Sequence, residues 1–167
     1  EMRGEQVKIK MTPPLDCRID FAISVKGEKR VLSSINTGVP HVVLEQNGLA
    51  EADIVSLGRA IRHHDAFAPA GTNVNFVFPA DGEGLRVRTY ERGVEDETLA
   101  CGTGCVASAL ITAARRGWSS PIPVTTRSGG ILTIHFQQAG RQFREVYLEG
   151  DARIVYRADL QPDALMA

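Results

Sequence analysis

Several things are scarce in this chain of 167 residues, and each shortage narrows what it can be. No apolar run approaches the roughly 20 residues of a membrane span, and no signal-peptide pattern opens the sequence. No sign of charge dominates. Lys and Arg number 19 against 20 Asp and Glu, and the formal net charge of −1 gives no general pull toward nucleic acid or an anionic membrane. There are three cysteines, Cys17, Cys101 and Cys105, an odd number at no metal-like spacing. That argues against a disulfide framework and a metal centre, and for a reducing, cytoplasmic compartment. Repeats, low-complexity segments and long linkers are absent too. What remains is ordinary globular material, 43% hydrophobic and 23% charged, enough for one domain with a real core. The strand-like run Gln6–Met11 follows Glu1 almost at once, which leads us to expect a piece of a longer protein.

Strand signals fill the first forty residues. Val7, Ile9 and Met11 alternate with lysines, and the Pro13-Pro14 pair ends the run. Strands are expected at 19–25 and 30–35 around the Lys26-Gly27-Glu28 turn, and again at 39–44. Apolar residues at helical spacing (Ile54, Leu57, Gly58, Ile61), with Glu51 and Asp53 in the first turn, predict a helix over 52–63. A loop at 69–72 leads to strands at 74–78 and 85–91, separated by the acidic turn Asp81-Gly-Glu-Gly84. The clearest helix is 103–116: Val106, Ala109, Leu110 and Ala113 form a stripe, Arg115 and Arg116 suit the C-terminal dipole, and Gly117 caps it. Ala107, Ile111 and Ala114 make it apolar on most sides, so it belongs in the centre of the fold. Strands at 131–136, 144–149 and 152–156 complete a strand-rich α+β pattern.

Cys101 directly precedes the Gly102-Thr103-Gly104 opening of that central helix. A helix start presents unpaired N–H groups and a positive dipole end, which can hold a carboxylate or phosphate and can lower the pKa of a thiol placed there. The competing reading is a buried free cysteine that merely fills space. Cys105, one turn further on, sits on the apolar helix body and reads as structural.

Other patterns nearby fail on context. Gly102-Thr-Gly104-Cys-Val-Ala107 matches a dinucleotide fingerprint, but an acidic turn precedes it where an apolar strand is needed, and no Asp or Glu falls between Thr98 and Arg144 to hold a ribose. A cysteine phosphatase loop would want an arginine where Ala107 stands. Two sulfurs without a nearby histidine make a poor zinc site. Taken singly, Glu91-Arg92 reads as solvated surface, Asn73 as a turn residue, His41 as a satisfied half-buried histidine, and His63 and His64 as a solvated helix end.

In combination these signals sharpen. Asn36-Thr-Gly-Val-Pro-His41, Gly71-Thr-Asn-Val-Asn-Phe76, Tyr90-Glu-Arg-Gly93, Glu97-Thr-Leu-Ala-Cys-Gly-Thr-Gly104 and Ser128-Gly-Gly130 occur in one order and at one set of spacings. The series resembles the C-terminal half of diaminopimelate epimerases and covers nearly the whole chain. The resemblance implies an α+β lobe in which a curved, mostly antiparallel sheet wraps around a central helix. It makes residues 1–167 the C-terminal lobe of a two-lobe enzyme, with 152–167 packing on the other lobe.

The implied activity is interconversion of LL- and meso-diaminopimelate, a step toward lysine and peptidoglycan precursors, without a cofactor or metal. One cysteine from each lobe flanks the substrate Cα, a thiolate taking the proton from one face and a thiol delivering one to the other. By match, Cys101 is this lobe's acid/base, and His41 and Glu91 belong to the catalytic set. Asn73, Glu91 and Arg92 hold the ammonium and carboxylate groups, Arg92 with a bidentate grip. Gly102 and Thr103 supply N–H and hydroxyl donors to the α-carboxylate. Tyr156 matches a dimer contact, implying a homodimer, with no nucleic-acid or membrane partner.

Two departures stand out. Val39 occupies a position where many members carry Asn, and Cys17 lies in a Leu-Asp-Cys-Arg context unlike the partner cysteine's segment. Alone, the chain is expected to be inactive. The alternatives are a related cofactor-independent racemase or isomerase of the same superfamily, or a non-catalytic amino-acid-binding lobe.

Overall fold

The computed structural model describes residues 2–3, 6–46, 48, 53–80, 84–159 and 161. Eleven strands form one sheet: β1 (Met2–Arg3), β2 (Gln6–Lys10), β3 (Leu15–Val25), β4 (Glu28–Asn36), β5 (Pro40–Glu45), β6 (Asn73–Ala80), β7 (Gly84–Glu91), β8 (Asp96–Thr98), β9 (Ile122–Thr125), β10 (Ile131–Ala139) and β11 (Gln142–Asp151). Two helices accompany it, α1 (Ile54–Arg62) and α2 (Gly102–Arg116), with a short 3-10 turn at Asp65–Phe67. The strand order is β1-β2-β11-β10-β9-β7-β6-β5-β4-β3, with β8 paired to β7. Among the described residues, β5–β6 and β7–β9 run parallel and the other strand pairs are antiparallel.

The sheet curves around α2, which touches β3 through β7 and β9 through β11. Residues 104–113 of α2 are all buried, as expected of a helix apolar on most sides. Gly117 ends it in the left-handed region at φ 70°, its N–H donating to the Ala113 carbonyl. On the opposite face of the sheet, α1 seats Ile54 and Ile61 against Val42, Leu44, Val74, Phe76, Phe78 and Tyr90. Asp53 caps α1 by accepting the Ser56 N–H at 3.0 Å.

The pleat decides what faces α2. Side chains alternate across a strand, so Val74, Phe76 and Phe78 of β6 point to the α1 side while Val77 joins the α2 core. Asn73 and Asn75 share the parity of Val77. In the parallel β5–β6 pair His41 registers with Asn73 and Val43 with Asn75, which places three polar side chains on the concave side. Buried on both faces, β6 carries a nearly continuous apolar run, as a central strand should.

Three expectations need correction. Residues 152–156 form no strand: β11 ends at Asp151, and Ile154, Val155 and Tyr156 stand exposed at 75%, 88% and 79%. An apolar, β-branched segment makes a strand only where it meets another strand to pair with; residues 152–156 leave the sheet after Asp151 and pair with none of the described strands. Three strands were not foreseen, the two-residue β1, β8 with three residues and β9, which follows Pro121 and contains Pro123. β1 is fixed by pairing with β2, and β8 and β9 by tertiary pairing with β7 and β10, which local pattern does not report. The first turn expected at Glu51–Ala52, the acidic residues 81–83, residue 160 and the tail at 162–167 lie outside the described residues.

Candidate active site

The N-terminus of α2 opens onto the concave polar cluster of β5 and β6. Cys101 is the residue before the first helical turn, in extended backbone (φ −131°, ψ 105°), and Cys105 N–H donates to its carbonyl at 2.9 Å. Two anchors hold the approach to it. Ser128 N–H donates to the Leu99 carbonyl at 3.0 Å, so the Ser-Gly-Gly turn serves as a clamp on the cysteine loop. Upstream, the buried Glu97 carboxylate receives Arg88 through two hydrogen bonds of 2.6 and 2.7 Å, and Arg127 adds a longer contact.

The sulfur is nearly covered, at 9% exposure for the residue. This differs from an open, activated thiol. Burial pushes the Cys101 thiol above its ordinary 9.0, the Thr103 hydroxyl and Gly104 N–H pull it down, and the Glu91 carboxylate pushes it up again. Burial is the largest of these influences and outweighs the lowering contacts with the Thr103 hydroxyl and the Gly104 N–H at the helix start. Cys105 is driven further, to about 12, by burial and the neighbouring sulfur. Cys17, half-buried against the core, is raised by burial as well.

Thr103 Oγ1 stands between His41 and Cys101. It lies 3.0 Å from His41 Nε2 and 3.7 Å from Cys101 Sγ, while its carbonyl accepts the Thr37 hydroxyl at 3.0 Å. His41 is 1% exposed, and burial, with Arg92 nearby, pushes its imidazole down to about 3, so it is neutral at physiological pH. The hydroxyl is thus occupied within the protein, leaving the first-turn N–H groups of Gly102 and Thr103, which have no partner within the helix, as donors of the helix start.

Asn73 is 4% exposed and both ends of its amide are engaged, Nδ2 donating to the Pro40 carbonyl at 3.1 Å and Oδ1 accepting the Arg92 N–H at 2.9 Å. It therefore holds the Glu91-Arg92 corner beside β5. The turn that follows is pinned by Glu95, whose carboxylate accepts the Gly93 N–H at 3.0 Å and meets Arg62 at 3.0 Å. The fold thus gathers Cys101, Gly102, Thr103, His41, Asn73, Glu91 and Arg92 at one end of α2. Tyr156 lies beyond the sheet on the exposed tail. Asn75 escaped notice in the sequence. Its signal was a second polar residue two positions after Asn73 within an apolar strand, hence on the same face. Surface grooves at Lys26–Ser56–Arg59 and at Asp20–Glu45–Arg115 lie elsewhere and hold none of these residues.

The pattern of the diaminopimelate epimerase family matches residues 33–155. The chain belongs to the diaminopimelate epimerase family. It is 43% identical over 163 residues to the diaminopimelate epimerase of Aquifex aeolicus (strain VF5), covering 97% of this chain and 57% of that one. To the diaminopimelate epimerase of Chlorobaculum tepidum it is 41% identical over 163 residues, 96% of this chain and 60% of the relative. The chain thus spans somewhat over half the length of these curated relatives. Among solved structures, a probable proline racemase from Agrobacterium radiobacter K84 superposes with a TM-score of 0.71 at 20% identity, covering 96% of this chain and 55% of that one. A hydroxyproline epimerase from Agrobacterium vitis gives 0.68 at 19%, covering 90% and 52%. These two likenesses establish the α+β fold of this chain. In the described residues no helix is long and apolar enough to cross a membrane.

Proposed function

We propose that this chain is one lobe of a cofactor-independent isomerase that interconverts LL- and meso-diaminopimelate, with Cys101 as one of two opposed acid/base thiols. The observation that carries the reading is the placement of Cys101 at the start of buried α2, where the first N–H groups of the helix have no partner within it, with Glu91 close enough to the sulfur to raise its thiol. The α-carboxylate of the substrate is received by those N–H groups, and Arg92 takes the distal carboxylate. The ammonium group pairs with Glu91, and the Asn73-held corner fixes that geometry.

In the reaction a thiolate from the second lobe takes the Cα proton, breaking that C–H bond. Cys101 delivers its S–H proton to the opposite face, forming the new one and leaving a thiolate. A resting thiol held above its ordinary pKa suits the donor role at neutral pH. Pairing Glu91 with the ammonium removes the carboxylate's opposition to the thiolate that results. Neither Cys105 nor Cys17 can serve as the second acid: one is buried in the helix body, the other packs against the core.

The second lobe is supplied by the portion of the relatives' length that this chain does not span. The exposed Ile154, Val155 and Tyr156 support packing of the tail on that lobe, and Tyr156 at a contact between two copies. The reading keeps the reducing cytoplasm as its compartment, where an acid/base thiol stays unoxidised. The test is the two-lobe protein carrying Cys101→Ala, which loses interconversion of the diaminopimelate stereoisomers by chiral chromatography. Interconversion persisting at the parent rate would overturn the assignment.

A further inference from the structure

Asn75 is fully buried, and every polar atom of its side chain is committed. The Thr89 hydroxyl donates to Oδ1 at 2.9 Å. Nδ2 donates to the Val42 carbonyl at 2.9 Å and approaches His41 Nδ1 at 3.1 Å. A carbonyl cannot donate, so Nδ2 must be the NH2 end, and its second hydrogen points at His41 Nδ1. That nitrogen must present a lone pair. The single proton of a neutral imidazole then sits on Nε2 and is donated to Thr103 Oγ1 at 3.0 Å. With its oxygen accepting from His41, the Thr103 hydroxyl has its own hydrogen free for the Cys101 sulfur at 3.7 Å.

We propose that Asn75 is a positioning residue that sets the tautomer of His41 and so turns the Thr103 hydroxyl proton onto Cys101. The inference rests on reading Cys101 as a thiol that ionises. It gives His41 an indirect role, since the histidine neither touches the sulfur nor receives its proton, and the thiolate is met by Thr103. The charged and titratable groups facing this chain of bonds are Arg92 beside His41, Glu91 beside Cys101, and Cys105 on the helix. Arg92 opposes protonation of the imidazole and so works in the same direction as Asn75. Gly104 completes the device: a β-carbon there would collide with Asn75 Oδ1 and crowd Cys101 Sγ at 3.2 Å.

The experiment is a long-range proton–nitrogen correlation spectrum of the 15N-histidine-labelled chain, read across about pH 5 to 8. His41 is expected to carry its proton on Nε2 throughout, without titrating. A proton on Nδ1, or titration inside that window, would overturn the proposal, and this result needs no variant to fold. In Asn75→Asp a carboxylate replaces the donor, and His41 should gain an Nδ1 proton and titrate. The second arm follows iodoacetamide alkylation of Cys101 against pH. Thr103→Val should raise its midpoint by about one unit, and Thr103→Ser should restore it. An unchanged midpoint in Thr103→Val would also overturn it. Loss of epimerisation has no bearing on these readouts, so failure of the functional reading remains separately visible.

Discussion

Asn75 Oδ1 occupies the space that a β-carbon on Gly104 would need. Glycine inside a helix ordinarily costs about 1 kcal/mol relative to alanine. At Gly104 the sign reverses, because the added methyl must displace a buried, fully bonded amide. Gly104→Ala is expected to lower unfolding free energy by about 1–3 kcal/mol in denaturant titration. Gly102→Ala, where the new carbon would meet only Leu148 Cδ2 at 3.4 Å, should cost less. Equal losses at the two positions would remove the steric argument.

His41 also makes stability depend on acid. Its folded pKa, about 3, lies below the ordinary 6.5, so between these values the unfolded chain binds the extra proton. The stabilisation is complete above pH 6.5 and declines as pH falls toward 3, with a slope of up to about 1.4 kcal/mol per pH unit from this one group. Denaturant midpoints measured across that range should flatten in His41→Gln relative to the parent chain. An identical slope in both would show that His41 is not buried neutral.

The anchor upstream of Cys101 is electrostatic. Glu97 has only 4% of its side chain exposed and takes two hydrogen bonds from Arg88. Arg88→Met leaves the buried carboxylate with the longer Arg127 contact alone, and a loss of about 3 kcal/mol is expected. Replacing Glu97 and Arg88 together by Leu and Met should cost less than the single change, a comparison that a double-mutant cycle reads directly.

Thiol mapping separates the three cysteines. Cys105, 1% exposed with its thiol pushed to about 12, should resist iodoacetamide until the chain unfolds. Alkylation of Cys105 in the folded chain before Cys101, seen by peptide mass mapping, would mean that α2 is not the packed centre of the sheet.

The chemistry-bearing residues were more legible in the sequence than their surroundings. The α2 pattern, with Gly117 as its stop, was readable because local propensity and burial agree there. The concave placement of His41 and Asn73 follows from period-two alternation once β5 and β6 are paired, but the parallel pairing itself is tertiary. β9 was hidden because prolines flank and interrupt it, and residues 152–156 read as a strand because β-branched content says nothing about whether an edge is free. The covering of Cys101 was out of reach for a similar reason: the helix start is visible in Gly-Thr-Gly, whereas the burial that raises the thiol depends on elements distant in sequence. Asn75 shows in the sequence only as a polar residue on the face of Asn73, and its bonds to Thr89, Val42 and His41 are tertiary.

The central claim is that this chain contributes one of two opposed acids. It is tested most directly by solvent deuterium incorporation at Cα of LL-diaminopimelate, with the chain alone and with a lobe carrying the opposing cysteine supplied. The account predicts no interconversion by the chain alone, and deuterium-labelled meso product when both lobes are present, lost again in Cys101→Ala. Full turnover by the chain alone would contradict it.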